Sequence, residues 1–473
     1  MRVPATPPDI KPLLPRYLEA GEHRRVVRAA GGATPGGRYL HWDQLRYREL
    51  PAGLSREEWW LGIKLARSPL YRYFPLRSRD GEEFVIALLP TVEFALDRID
   101  DETRGVAAVG RRGLGEADRA EALMEEAIHS AQMDGAAMGV EQAKALLYSG
   151  RAPQTRSERI VFDTWDGLQL VREVSDEPLT PELFNELHRA ITARTLDRGQ
   201  AGRLRQSHED PHVYTLRGEE LFAPPVADEL PERLADLCAF ANGESPDWAV
   251  HPVLRAILAH LWVGYEHPFV DGNGRFARAL FLWAMLSQGY PIFEHLPLSR
   301  IMRRDKSAYE RAYLYTTTDG FDATYFVLLM VETIAEALDA LDGNEEQVES
   351  VPVRVVPQAE EEPTELALLP AGMTIAPLSE KHPNATLIER AMRAGGTLNQ
   401  RQLALVERAL RRPEEIVTIK THQERHQVAY ETARLDLQDL YARGLLMRFR
   451  VGRSWEFQTV QDVAERLFKS VRH

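Results

Sequence analysis

The sequence predicts a mainly α-helical protein with a mixed N-terminal arm and a small C-terminal domain of helices and a two-stranded wing. Three observations carry this. Between residues 115 and 342, several segments repeat apolar residues at three and four spacing. Strand patterning is confined to short runs beside Gly turns. A Pro- and Glu-rich stretch then separates the helical region from a basic tail domain.

Residues 1–114 form the arm. Pro4, Pro7 and Pro8, then Gly31, Gly32, Gly36 and Gly37, punctuate its start, and Trp42, Leu45 and Tyr47 offer packing surface. Ser55-Arg56-Glu57-Glu58 has the S/T-x-x-E spacing of a capping box, so a helix carrying Trp59, Trp60, Ile63 and Leu65 should begin there. Residues 84–89 read as a short strand after the Asp80-Gly81 turn.

Residues 115–342 are helical over 121–132, 181–193, 226–241, 252–266 and 276–288. The exception is 206–225, where Val213-Tyr214-Thr215-Leu216, Arg217-Gly218 and Leu221-Phe222 read as a hairpin. Residues 343–380 are a linker, with Pro352, Pro357, Pro363, Pro370 and Pro377 and a run of Glu360, Glu361, Glu362 and Glu365. Residues 381–473 place helices at 386–393, 401–411, 418–426 and 430–443. Strands at 446–449 and 454–457 around Gly452 then form the wing.

Composition narrows the class. A chain of 473 residues admits two or three domains at roughly 150 residues each. The 44% hydrophobic and 27% charged content is that of an ordinary globular protein. A net charge of −13 argues against a nucleic-acid coat over the whole surface. The single Cys238 excludes an intramolecular disulfide framework and a zinc site built on several thiolates. Residues 1–8 hold prolines rather than the apolar stretch of a secretory signal. The apolar run at 279–286 is far short of the roughly 18 residues that cross a bilayer. A cytoplasmic location without membrane contact is expected.

Chemistry concentrates in His267-Pro-Phe-Val-Asp-Gly-Asn-Gly-Arg-Phe-Ala-Arg278. Pro268 ends one apolar helix, since proline cannot donate into the ladder. Gly272-Asn273-Gly274 is a tight turn whose amides can converge, and the next helix begins there with its positive dipole end facing the same spot. Arg275 and Arg278, three apart, lie near one face of its first turn. The result is a pocket for several phosphates, with Asp271 at the lip where a carboxylate could hold Mg²⁺. His267 is the group of this stretch suited to accept a proton near neutrality.

This segment resembles the Fic signature H-P-F-x-[D/E]-G-N-G-R-x-x-R at every fixed position. The resemblance implies that His267 deprotonates an acceptor hydroxyl and that Asp271 binds Mg²⁺ on the α- and β-phosphates of ATP. It also implies that Gly272, Asn273 and Gly274 form an anion hole, that Arg275 holds the β-phosphate and Arg278 the γ-phosphate, and that Phe269 is a buried anchor. Leu187-His188, Gly202-Arg203-Leu204-Arg205 and Phe222-Ala223-Pro224-Pro225 resemble the flanking segments of such proteins. The hairpin among them is similar to the Fic flap, implying that a target protein docks on 206–225 as an added strand. Tyr309 falls where relatives place an aromatic near the base and would contact the nucleotide; a packed core tyrosine fits the position equally. His188 and His260 read as structural.

Ser130-Ala131-Gln132-Met133-Asp134-Gly135 is similar to the inhibitory pattern [S/T]-x-x-x-E-[G/N] of the class with an N-terminal brake, on a helix expected over about 120–135. Asp134 stands where the family has Glu. One methylene is lost, so its link to Arg278 is expected to be looser or water-bridged, and the resting state leakier.

Residues 381–473 carry 17 Lys/Arg against 11 Asp/Glu. Their order of elements resembles a winged helix-turn-helix, with 430–437 as a recognition helix and Arg448, Arg450 and Arg453 on the wing. Glu431, Asp436 and Asp439 share the helix read at 430–443 and Leu435 stands where related helices often carry a second base, so DNA contact and protein docking or dimerisation stand side by side. A homodimer that controls the brake is compatible with the sequence, though no residue points to it. The expected function is AMP transfer from Mg-ATP to a hydroxyl of a target protein or of the chain itself. The alternatives are a Fic variant that removes AMP or transfers phosphate, and a DNA-binding regulator. The complete G-N-G-R-x-x-R with intact His267 and Asp271 favours AMP transfer.

Overall fold

The computed structural model describes residues 3–19, 22–209, 213–214, 220–343, 401–402, 405, 416–426, 428, 430–442, 445–451 and 454–459. The linker over 344–380, the helix expected at 386–393, most of that at 401–411, and Gly452 and Arg453 lie outside these residues. The chain divides into two compact units, Met1–Gln358 and Ala359–His473.

The first unit opens with α1 (Leu14–Glu19), α2 (His23–Ala29), α3 (Trp42–Leu45) and α4 (Arg56–Arg67). Helix α4 starts at its capping box. Ser55 Oγ accepts from Glu58 N at 3.1 Å, and the Glu58 carboxylate accepts from Ser55 N at 2.7 Å. Strands β1 (Tyr71–Arg77) and β2 (Glu83–Ala87) then pair antiparallel. The expected strand at 84–89 is β2. Strand β1 lacks a sequence signal, because Arg72 and Tyr73 are both exposed and Pro75 interrupts the run.

Buried charge ties this arm to the far end of the same unit. Arg67 is fully buried, lies 3.5 Å over the Tyr39 ring, and donates to Tyr325 Oη and to the Leu40 carbonyl. Lys64 Nζ is 3.0 Å from the Asp319 carboxylate.

Helices α5 (Pro90–Thr103) and α6 (Val106–Arg111) lead to α7 (Glu116–Met133), α8 (Val140–Ser149), α9 (Arg156–Glu173) and α10 (Pro181–Thr192). The described part of the expected hairpin is β3 (Val213–Tyr214) against β4 (Glu220–Phe222), antiparallel; residues 215–219 between them lie outside the described residues. Then come α11 (Leu230–Ala241), α12 (Pro252–Glu266), α13 (Asn273–Ser287), α14 (Leu298–Arg304), α15 (Lys306–Thr318) and α16 (Thr324–Leu341). Helices α12 and α13 are buried on nearly every face, as their all-round apolar sequence requires. The main core gathers Phe269, Phe276 and Trp283 around them, with Phe74 and Phe84 of the arm hairpin and Leu96 of α5 in the same cluster.

In the second unit β5 (Ile416–Thr418), α17 (Ile419–His426), α18 (Tyr430–Ala442), β6 (Leu446–Val451) and β7 (Ser454–Thr459) form a three-stranded sheet in the order β5-β7-β6 with a helix pair. Strand β5 was not expected; it precedes the helix read at 418–426. Leu405, Val417, Ala433, Leu437, Leu440 and Phe457 make its core. Among the described residues no helix is long and apolar enough to cross a membrane.

Candidate active site

The site is built where α12 stops and α13 starts. His267 caps α12 in the left-handed region (φ 46°, ψ 55°), a strained conformation for a residue with a Cβ, and doubly so before proline. Arg205 holds it there. Its buried guanidinium donates from Nε to the His267 carbonyl at 2.9 Å and from Nη2 to the carbonyls of Glu266, at 3.2 Å, and Pro225. Arg205 N also donates to the Pro268 carbonyl at 2.9 Å.

The loop beyond is clamped twice. Asn273 Oδ1 accepts from Phe269 N at 3.0 Å while its Nδ2 donates to the Phe269 carbonyl at 2.7 Å. The side chain is thereby committed to loop shape, leaving only its backbone for the expected anion hole. His188 is the second clamp. Gly202 N donates to its Nδ1 at 3.0 Å, so Nε2 carries the proton and donates to the Asp271 carbonyl at 2.9 Å. Its ring stacks on Phe269 with centroids 3.5 Å apart. Gly272 turns the chain into α13 at φ 82°, and a Cβ there would meet Thr192 Cγ2 at 2.7 Å.

At the start of α13 the expected residues converge. Arg278 is buried and donates Nε to Ser130 Oγ at 2.8 Å. Its Nη2 donates to the Ser130 carbonyl and to Asp134 Oδ1, both at 3.0 Å. Asp134 Oδ2 accepts from Arg275 N at 3.3 Å and lies 3.4 Å from Arg275 Nε. Arg275 Nη1 donates to the Ile191 carbonyl at 2.6 Å. A Cβ on Gly274 would come within 2.9 Å of Asp134 Oδ1, so only glycine lets a carboxylate lie this close to the helix start. The link expected to be looser or water-bridged is direct, through one carboxylate oxygen.

Electrostatics follow the geometry. Burial pushes the Asp134 carboxyl up, but Arg278 and Arg275 outweigh it and hold its pKa below the usual value. Burial, then the Arg205 charge, lowers His267 to about 4, leaving a neutral imidazole at neutral pH.

Asp271 is exposed at the lip. Gly272 N donates to its Oδ1 at 2.7 Å, and its Oδ2 faces Arg156 Nη2 at 3.4 Å. Among the described residues no group of three or more His, Cys, Asp or Glu side chains could hold a metal. A lone carboxylate beside a phosphate cradle still suits Mg²⁺, which takes one or two carboxylates and completes its shell with phosphates and water. That Asp271 already faces one cation, the Arg156 guanidinium, fits this.

Tyr309 is a packed side chain that lies against the Arg278 guanidinium, whose charge opposes the burial that raises its pKa. It is 7% exposed, with its hydroxyl 2.7 Å from His260 Nε2 and 3.3 Å from Tyr313 Oη. His188 and His260 are fully buried, as structural residues should be. Sequence reasoning assigned no role to Arg205, although it quoted its motif, and missed Arg156, which carries no local signal.

Residues 178–285 match the Fic/DOC family model. The chain is 30% identical over 171 residues to protein adenylyltransferase fic-1 of Caenorhabditis elegans, covering 34% of this chain and 32% of that protein. It is 26% identical over 275 residues to protein adenylyltransferase Fic of Drosophila mojavensis, covering 56% and 50%. It thus spans half or less of these curated relatives. Among solved structures, a Fic family protein from Desulfovibrio desulfuricans aligns at 18% identity and a TM-score of 0.46, over 79% of this chain and 97% of that one. The signature loop, its clamps and both arginines all lie inside the segment that matches the Fic/DOC family model.

Proposed function

We propose that the chain is a protein adenylyltransferase, moving AMP from Mg-ATP to a protein hydroxyl, and that α7 restrains it. What supports this reading is one convergence: a neutral histidine at the end of α12 beside a helix start with two buried arginines. The acceptor hydroxyl gives its proton to the His267 imidazole as its oxygen attacks the α-phosphorus. The bond from that phosphorus to the bridging oxygen breaks, and pyrophosphate leaves. The α13 amides and Arg275 stabilise the developing charge, and Arg278 takes the γ-phosphate once Asp134 has left it. Asp271 would hold Mg²⁺, which when bound neutralises phosphate charge. The hairpin of β3 and β4 offers an edge for an added strand of the target.

Labelling tests the reading. The full chain is incubated with Mg²⁺ and ATP carrying label on either the α- or the γ-phosphate. Transfer of the α label only, abolished in His267→Ala, is expected. Transfer of the γ label would make the chain a phosphotransferase and overturn the reading.

For the second unit, the order β5-β7-β6 with its helix pair supports a winged helix. Asp436 of α18 is buried on Arg401 and His422, and Asp439 accepts from Gln402. These two acids are thereby engaged within the unit, which favours duplex DNA as its partner. Loss of a salt-dependent anisotropy change in Arg448→Ala would support this; no binding to duplex DNA at low salt would refute it.

A further inference from the structure

Arg156 occupies a place its own helix does not favour. It is the first residue of α9, whose cap is otherwise regular: Thr155 Oγ1 accepts from Glu158 N at 3.2 Å, and the Glu158 carboxylate accepts from Thr155 N at 3.2 Å. A cation in the first turn opposes the helix dipole. The anion it meets is 115 residues away: Nη2 lies 3.4 Å from Asp271 Oδ2. Asp271 Oδ1 is engaged by Gly272 N at 2.7 Å, so Oδ2 is the oxygen that faces a cation.

Asp134 and Arg156 ride on one packed body. Ile128 and Ala131 of α7, Ala143 of α8 and Ile160 and Val161 of α9 share a small core. Ala137 N donates to Ser157 Oγ at 3.0 Å, fastening the segment after Asp134 to the residue after Arg156. This body therefore presents an anion to the two arginines of α13 and a cation to the carboxylate at the lip. These are opposite charges at the two places where a nucleotide and its metal would bring charge.

On the adenylyltransferase reading above, we propose that Arg156 is the cationic half of a two-charge closure, competing with the divalent cation for Asp271 as Asp134 competes with phosphate for Arg278. Arg156 is exposed, so its removal leaves the fold intact and isolates the competition.

The test is binding, not turnover. Mn²⁺ is titrated onto the full chain with saturating α,β-methylene-ATP and followed by electron paramagnetic resonance. Wild type, R156A, D134G and the double variant are compared, and analogue binding in EDTA is measured alongside. R156A should lower the Mn²⁺ concentration at half-saturation about two- to five-fold, the range of an exposed ion pair, with or without Asp134. Analogue binding in EDTA should not change. An unchanged Mn²⁺ midpoint overturns the proposal. So does weaker binding of the analogue to R156A in EDTA, which would make Arg156 a phosphate ligand. Failure of the D134G chain to bind the analogue under any condition would instead sink the nucleotide reading of the site, and this inference with it.

Discussion

Asp134 and Arg278 are joined directly across 144 residues of sequence, Oδ1 accepting from Nη2 at 3.0 Å, while the other carboxylate oxygen takes the backbone N–H of Arg275. One aspartate thus neutralises a buried arginine and fills the start of α13 at once. The carboxylate meets Arg278 through one oxygen and the helix terminus through the other.

This arrangement predicts a graded response at position 134. Asp134→Gly removes a charge-assisted bond of about 1.5–3 kcal/mol, so ATP affinity and self-labelling should rise about tenfold or more. Asp134→Asn keeps shape without charge and should fall between. Calorimetry with ATP and label incorporation read both effects. If Asp134→Gly matches wild type in both, the carboxylate is not a brake.

The local parts of the site were legible. The run from His267 to Arg278 has fixed spacing, and α7 was expected at about 120–135 against 116–133 observed. What escaped the sequence is long-range. Arg205 is an ordinary arginine until the fold brings the Glu266 and His267 carbonyls to it. Arg156 lies at a helix start where its charge is unfavourable, and nothing nearby marks Asp271 as its partner. Strand β1 alternates poorly: the adjacent Arg72 and Tyr73 both reach solvent, so no period of two marks it. Tyr309 fitted two readings in the sequence, and its packed hydroxyl meets His260 and Tyr313 beside Arg278.

His188 carries a pH-dependent part of the stability. Burial lowers its pKa to about 3, with Arg275 and Arg189 adding to the shift against the bond to Asp271. Between about pH 6.5 and 3 the unfolded chain binds this proton and the folded chain does not, so its contribution is complete above 6.5 and shrinks as pH falls. The penalty of His188→Gln should therefore narrow by about 2 kcal/mol at most between pH 7 and about pH 5. Urea unfolding of both proteins at the two pH values measures it. A penalty that does not change with pH would mean that His188 titrates alike in the folded and the unfolded chain.

Arg205 should act on the base through position and charge together. Its guanidinium holds His267 in the left-handed conformation, and its charge helps burial lower the imidazole to about 4. In wild type the acid limb of kcat/KM should therefore lie well below the ordinary histidine value of about 6.5. Arg205→Gln keeps an amide donor but loses the charge. The limb should move up towards the ordinary value, kcat should fall about tenfold for the lost charge-assisted bonds, and KM for ATP should hold. A residue that merely supported the fold would lower the active fraction without moving the limb. The pH profile on the Asp134→Gly background separates the two, and a limb that stays in place in Arg205→Gln would leave Arg205 a structural clamp alone.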